Sequence, residues 1–246
     1  MSDLLLCLGF FLVALLFACV GQAGAPGYVA VMSFAGFAPG AIKPVALALT
    51  VLVSAIGVVR FVQTGLLKTR DWYPFAILGL PASVIGGLIT LPPDIFRIAM
   101  IAILLVASFQ LARSAGRTAA LDEAALAEPP LLPAVLAGGV IGLAAGATGI
   151  GGGLFTALLM LGLGWTPTKR VAAVAQASNL FTAAPAFAGL WTLHPTMPTA
   201  LPGWALAAAL GGLLGAWFGA KHLPAKTLRQ ILAAILLASA VRLALG

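Results

Sequence analysis

Apolar positions in this chain come in long, nearly uninterrupted runs. They occupy residues 4–20, 28–37, 44–63, 73–91 and 95–111; after a polar stretch the pattern restarts at 131–147, 154–163, 171–191, 204–220 and 228–245. A hydrocarbon core about 30 Å thick takes on the order of 20 helical residues to cross, so the long runs predict crossing helices and the short second run of each half predicts a half-helix. Each half therefore reads long, short, long, long, long. The stretch at 113–130 carries Arg117, Asp122, Glu123, Glu128 and a Pro129-Pro130 pair, the composition of a surface linker. It divides the chain into a first repeat, 1–117, a cytoplasmic connector, 118–130, and a second repeat, 131–246.

Between the long and short runs of the second half lies Gly146-Ala-Thr-Gly-Ile-Gly-Gly-Gly153. Glycine costs a helix interior about 1 kcal/mol relative to alanine, so Gly149, Gly151, Gly152 and Gly153 in five positions predict non-helical backbone at membrane depth. Irregular chain is tolerated there only where protein or a polar cavity surrounds it, and the N-terminus of the following half-helix would aim N–H groups into that cavity, as an anion site requires. A degenerate copy, Gly21-Gln-Ala-Gly24-Ala-Pro-Gly27-Tyr28, occupies the same place in the first half. Other glycine pairs, within 138–142 and 211–215, have the spacing of tight helix packing.

A hairpin that enters and leaves on one side, followed by three crossings, makes each repeat odd, so two consecutive repeats insert in opposite senses. The predicted fold is all-α: a polytopic membrane protein of two inverted repeats, each a Gly-rich broken-helix hairpin plus three transmembrane helices. Charge agrees with the inversion. Arg60, Lys68 and Arg70 load a loop whose counterpart at 194–202 lacks Lys and Arg, whereas Lys221, Lys226 and Arg229 load one whose counterpart at 92–94 is nearly bare. With the loaded loops in the cytoplasm, beside Arg113, Arg117, Lys169 and Arg170, only Lys43, Arg97 and Arg242 remain outside and both termini face outward. Trp72, Trp165 and Trp217 then fall at the inner boundary and Trp191 and Trp204 at the outer one.

Composition narrows the class. The chain is 62% hydrophobic and 8% charged, with mean hydropathy +1.13, values outside the range of a soluble domain. The net charge of +7 is spread over short loops between apolar runs, where it sets topology, so nucleic acid is not expected as a partner. Asp3 and the lack of Lys or Arg before residue 4 argue against a secretory signal, and the lipoprotein-like Leu16-Phe-Ala-Cys19 is read as helix. Cys7 and Cys19 have no metal or redox spacing. His194 and His222 read as loop residues, and no cofactor is expected. No Gly-Lys-Ser/Thr follows Gly151–Gly153, which argues against a nucleotide-driven pump, and no Asp, Glu, Lys or His falls at the centre of a run, so no carboxylate proton relay is visible.

The second-half break, followed by an apolar half-helix, Gly162-Leu-Gly-Trp-Thr-Pro167, Lys169-Arg170 and Ala175-Gln-Ala-Ser-Asn179, resembles the sulfite exporter family known as TauE/SafE. Gly21–Tyr28 with Gly36, Pro39, Lys43 and Ala46-Leu-Ala-Leu-Thr50 resembles the family's first repeat, with Pro26 and Tyr28 standing where the family often has glycine. The resemblance implies transport of sulfur oxyanions or organosulfonates across the bacterial inner membrane.

The residues expected to bind the substrate are Gly21, Gln22, Gly24, Gly27 and Thr50 in the first half. In the second they are Thr148, Gly149, Gly151, Gly152, Gly153, Gln176, Ser178 and Asn179. Polar side chains at membrane depth face protein or a cavity; interhelical hydrogen bonding is the competing reading, and it weighs more for Ser54 and Thr182. The expected function is secondary transport of a small anion, most simply efflux, through a midplane site where the two hairpins approach each other. The alternatives are proton-coupled uptake, a non-transporting membrane scaffold and, less supported, a membrane-embedded enzyme. Oligomeric state is left open.

Overall fold

The computed structural model describes residues 3–115, 130–163, 165, 168–193, 197–218 and 225–245. The connector residues 116–129, with Arg117, Asp122, Glu123 and Glu128, lie outside the described residues, as do His194, Lys221 and His222. Among the described residues the fold is ten helices: α1 (Asp3–Cys19), α2 (Ala25–Phe34), α3 (Pro39–Gln63), α4 (Thr69–Leu88), α5 (Pro93–Ala115), α6 (Leu131–Thr148), α7 (Gly153–Leu163), α8 (Thr168–Leu193), α9 (Leu201–Phe218) and α10 (Ala225–Leu245). The predicted order of long and short elements is present in both halves. Four segments, Gly40–Gln63, Pro93–Arg113, Leu131–Thr148 and Arg170–Thr192, are long and apolar enough to cross a membrane. At ten and eleven residues, α2 and α7 extend only about 15–17 Å.

Two helix pairs are closed by glycine. On α6 the Cβ positions of Gly138, Gly142 and Gly146 are taken up by the backbone carbonyls of Phe75, Gly79 and Ser83 on α4. The contacts advance by four residues on both helices, so α4 and α6 run in the same direction. In the same way Gly211 and Gly215 of α9 meet the carbonyls of Phe11 and Leu15 on α1, a second same-direction pair. Gly212, in the same motif, faces only the Val53 side chain, 3.1 Å from its Cβ position, so the close approach belongs to Gly211 and Gly215.

At the centre α3 packs on α8. Gly57 rests on Gln176, and Leu47 clusters with Ala183, Ala186 and Leu190. Numbers fall along α3 as they rise along α8, so this pair is antiparallel. α5 packs on α10, where Ser108 Oγ donates to Ala233 O at 2.8 Å. The aromatic expectation needs one correction. Trp204 is 2% exposed, held between Phe10 and Phe37 with ring centroids 5.5 and 5.9 Å away, because the first turn of α9 seats on α1 and the α2–α3 turn. It is a core residue rather than an interfacial one, while Trp191 and Trp217 are exposed.

Candidate functional site

The second break begins where α6 ends. Gly149 caps the helix with φ +80° and its N–H donates to Ala145 O; Gly151 has φ +77°. Both conformations are open to glycine at little cost, which lets the chain reverse and start α7 at Gly153. A helix start leaves four N–H groups without intrahelical partners, and no side chain of α7's own cap can serve them because Gly152 has none. The neighbouring helix supplies the acceptors instead. Gly152 N–H donates to Thr182 Oγ1 at 2.8 Å and Gly153 N–H to Asn179 Oδ1 at 2.7 Å. Thr182 Oγ1 in turn donates to Ser178 O at 2.6 Å, and Ser178 Oγ and Thr156 Oγ1 share a hydrogen bond of 2.6 Å. Two N–H groups expected to face a cavity are therefore bound by α8, and Ser178, Asn179 and Thr182 are joined to the turn.

The opposite wall is α3. Thr50 Cγ2 lies 3.2 Å from the Cβ position of Gly151, and Asn179 Oδ1 reaches the same position from α8 at 2.7 Å. Thr50 is fully buried, as is Gln176 at 2% exposure. Among the described residues neither Thr50 Oγ1 nor Gln176 Oε1 has a hydrogen-bond partner, an uncommon state for buried polar atoms. Thr148, also buried, bonds back to Ala144 O of its own helix at 2.7 Å.

The first-half residues are elsewhere. Gly21 (φ +77°) sits against Ala172 of α8 and Phe61 of α3, while Gly24 (φ +85°) and Gly27 pack toward Val13 of α1, Gly27 also on Phe17. Gln22 is half-buried, and its N–H closes the end of α1 on Phe17 O. The other break touches Lys43 at the far end of α3: Lys43 Cγ lies 3.0 Å from the Cβ position of Gly149. Eighteen residues of helix, about 27 Å, separate Lys43 from Phe61. Gly21 and Gly149 thus lie toward opposite ends of the α3–α8 pair, while Ala23 and Ala25 of the first break and Ile150 of the second belong to one buried cluster. Thr50, Gly151–Gly153, Gln176, Ser178 and Asn179 gather in between.

Lys43 lies at the end of α3 that the charge pattern places outside, and what reading the sequence did not show is its burial. Counted there with the outer charges, it is 7% exposed; its ammonium donates to Gly86 O at 3.2 Å, Gly87 O at 3.0 Å and Ile89 O at 2.8 Å, the last carbonyls of α4. The clue was Pro39, a residue suited to the first position of a helix, which starts α3 five residues before the apolar run and carries Lys43 inside. Thr156 was also missed; it lies three residues beyond Gly153, on the turn that faces α8. At the opposite end Arg170 Nε approaches Asp71 Oδ2 at 4.0 Å, near Trp165 and Phe75, whose rings are 6.4 Å apart.

Hydroxyls, carboxamides and backbone amides of this kind bind and orient a ligand; they supply no nucleophile and base pair. Residues 6–243 match the family described as "Sulfite exporter TauE/SafE". The chain is 44% identical over 238 residues to a protein of Sinorhizobium fredii described as "Probable membrane transporter protein y4hK", covering 97% of this chain and 96% of that one. No solved structure matches. Fold, apolar spans and relatives together define a multi-pass membrane transporter, embedded in lipid and acting on a small substrate, and not an enzyme. The chain belongs to the TauE/SafE family.

Proposed function

We propose that this transporter carries a small anion, a sulfur oxyanion or organosulfonate, outward across the bacterial inner membrane. The substrate is held by the second Gly-rich break and the polar residues of α3 and α8 that face it. The observation that carries the reading is Thr50: its hydroxyl is buried without a protein partner, and its methyl packs at Gly151, two residues before α7 begins. Such a hydroxyl is a free donor beside a helix N-terminus, the end whose partial positive charge favours anions. Thr148, Gly149, Gly151, Gly152, Gly153, Gln176, Ser178 and Asn179 shape the second-half side of the path. Gly21, Gln22, Gly24 and Gly27 form its counterpart in the first half. The description of the matching family as a sulfite exporter supports the choice of anion.

Efflux follows from charge. In an inside-negative cell each 100 mV contributes about 2.3 kcal/mol per expelled monovalent anion, enough for a gradient of about fifty-fold, so no coupling ion is required. Purified protein in liposomes loaded with sulfite, thiosulfate or a small sulfonate tests this. Under a potassium diffusion potential set by valinomycin, with no pH gradient, release should accelerate as the loaded side is made negative. One observation favours a second reading, uptake with a proton: Gln176 Oε1, a buried acceptor without a donor, suits an oxyanion that carries its own proton. Flux indifferent to potential and driven by a pH gradient would select that reading over the first.

A further inference from the structure

A cleft of about 570 Å³ opens beside the second break, between the start of α3, the α4–α5 turn, the last turn of α6 and the α8–α9 turn; Lys43, Thr90, Ala147 and Met197 are among the residues lining it. We propose that this cleft is an anion-binding chamber, distinct from the Thr50 cluster, in which the Lys43 ammonium supplies the charge and which the anion reaches from the Gly149–Gly153 turn on its way outward. The inference rests on the anion reading above.

Three observations support it. The volume lies within the range of small-ligand sites, and among the described residues Lys43 is the charged one in its wall. The chamber also abuts the break: Ala147, in its wall, belongs to the last turn of α6, and the Lys43 stem seats on Gly149. Finally, the cation lacks a full counter-charge. Its three partners are carbonyls at the α4 C-terminus, an end equivalent to roughly half a negative charge. Among the described residues no carboxylate forms an ion pair with it: Asp71 faces Arg170 at the other end of the molecule, and Asp94, on the first turn of α5, is exposed. Capping alone does not require burial, since Arg242 bonds Phe34 O at the end of α2 from an exposed position, at 3.3 Å. A buried ammonium left partly unbalanced is expensive, and an anion in the chamber completes the balance.

The test keeps Lys43 in place, because its removal also uncaps α4. Met197→Glu sets a carboxylate in the chamber wall as a built-in competitor, and Met197→Gln is its neutral control. Both are compared with wild type as full-length protein in zwitterionic liposomes, with sulfite, thiosulfate and a small sulfonate as probes. The concentration for half-maximal flux should be about tenfold or more higher in Met197→Glu than in Met197→Gln, with the two proteins melting alike in detergent. Equal curves for the two variants, beside a wild type that carries the probe, overturn the chamber and leave the anion reading standing. A wild type that carries none of the probes overturns both.

Discussion

Thr50 and Asn179 face the same glycine from two helices and are in opposite hydrogen-bonding states. Asn179 Oδ1 accepts the Gly153 N–H and so caps α7 from outside its own helix, whereas Thr50 Oγ1 has no partner. Removing a bonded group leaves its partner bare, at about 1–3 kcal/mol; removing an unbonded buried hydroxyl leaves nothing bare and lifts the penalty of its own desolvation. Thr50→Val should therefore melt at or above the wild-type temperature. A residue that merely fills space would leave transport equally untouched. As a substrate donor, Thr50 predicts instead that Thr50→Val raises the half-saturation concentration for the anion by about tenfold, the worth of one hydrogen bond to a charged group, with Thr50→Ser close to wild type. Liposome flux alongside thermal melting in detergent separates the two: a variant more stable and fully active would remove Thr50 from the site.

At the scale of helices, both breaks were legible because glycines this dense inside an apolar run make a continuous helix too costly. Their partners were not legible. That Gly152 and Gly153 give their N–H groups to Thr182 and Asn179 depends on α8 lying beneath α7, a relation between segments 26 and 30 residues apart that no local pattern encodes. The burial of Lys43 was not legible for a similar reason: hydropathy began the helix at Pro44, while its three carbonyl partners lie 43–46 residues away on α4. The packing glycines were legible as motifs but not residue by residue, since the spacing in 211–215 does not reveal which face meets α1. Coordinates make that distinction testable. Gly211→Leu would drive a side chain into the Phe11 backbone, which cannot rotate away, and should cost at least the roughly 1–3 kcal/mol typical of overpacking. Gly212→Leu meets the tip of Val53, a side chain that can shift, and should be milder. Yield of monodisperse protein and melting temperature, compared between the two, should rank Gly211→Leu well below Gly212→Leu.

At the scale of the whole molecule, helix directions constrain how the halves sit in a bilayer. The glycine registers make α4 and α6 run the same way, and α1 and α9 likewise, while α3 and α8, third in their respective halves, run in opposite senses. Exchanging each helix for its counterpart in the other half turns the α4–α6 pair into α9–α1 and leaves α3–α8 and α5–α10 as themselves. This is what an inverted pair of repeats, 1–117 and 131–246, would produce, and it supports that proposal without using charge. Charge then chooses the side. Arg60, Lys68 and Arg70 flank the α3–α4 turn, whereas residues 197–200, before α9, bring no charge, so the first should lie in the cytoplasm and the second in the periplasm. Both positions are exposed at Thr64 and Thr199. After Cys7 and Cys19 are replaced by alanine, a membrane-impermeant thiol reagent applied to intact cells should label Thr199→Cys and spare Thr64→Cys until the membrane is opened. Because the α3–α8 geometry ties the two halves together, labelling both sites from outside would contradict the inverted arrangement itself. Exchange of the two results would retain the inversion and reverse its orientation, and with it the face of the membrane on which the Lys43 cleft opens.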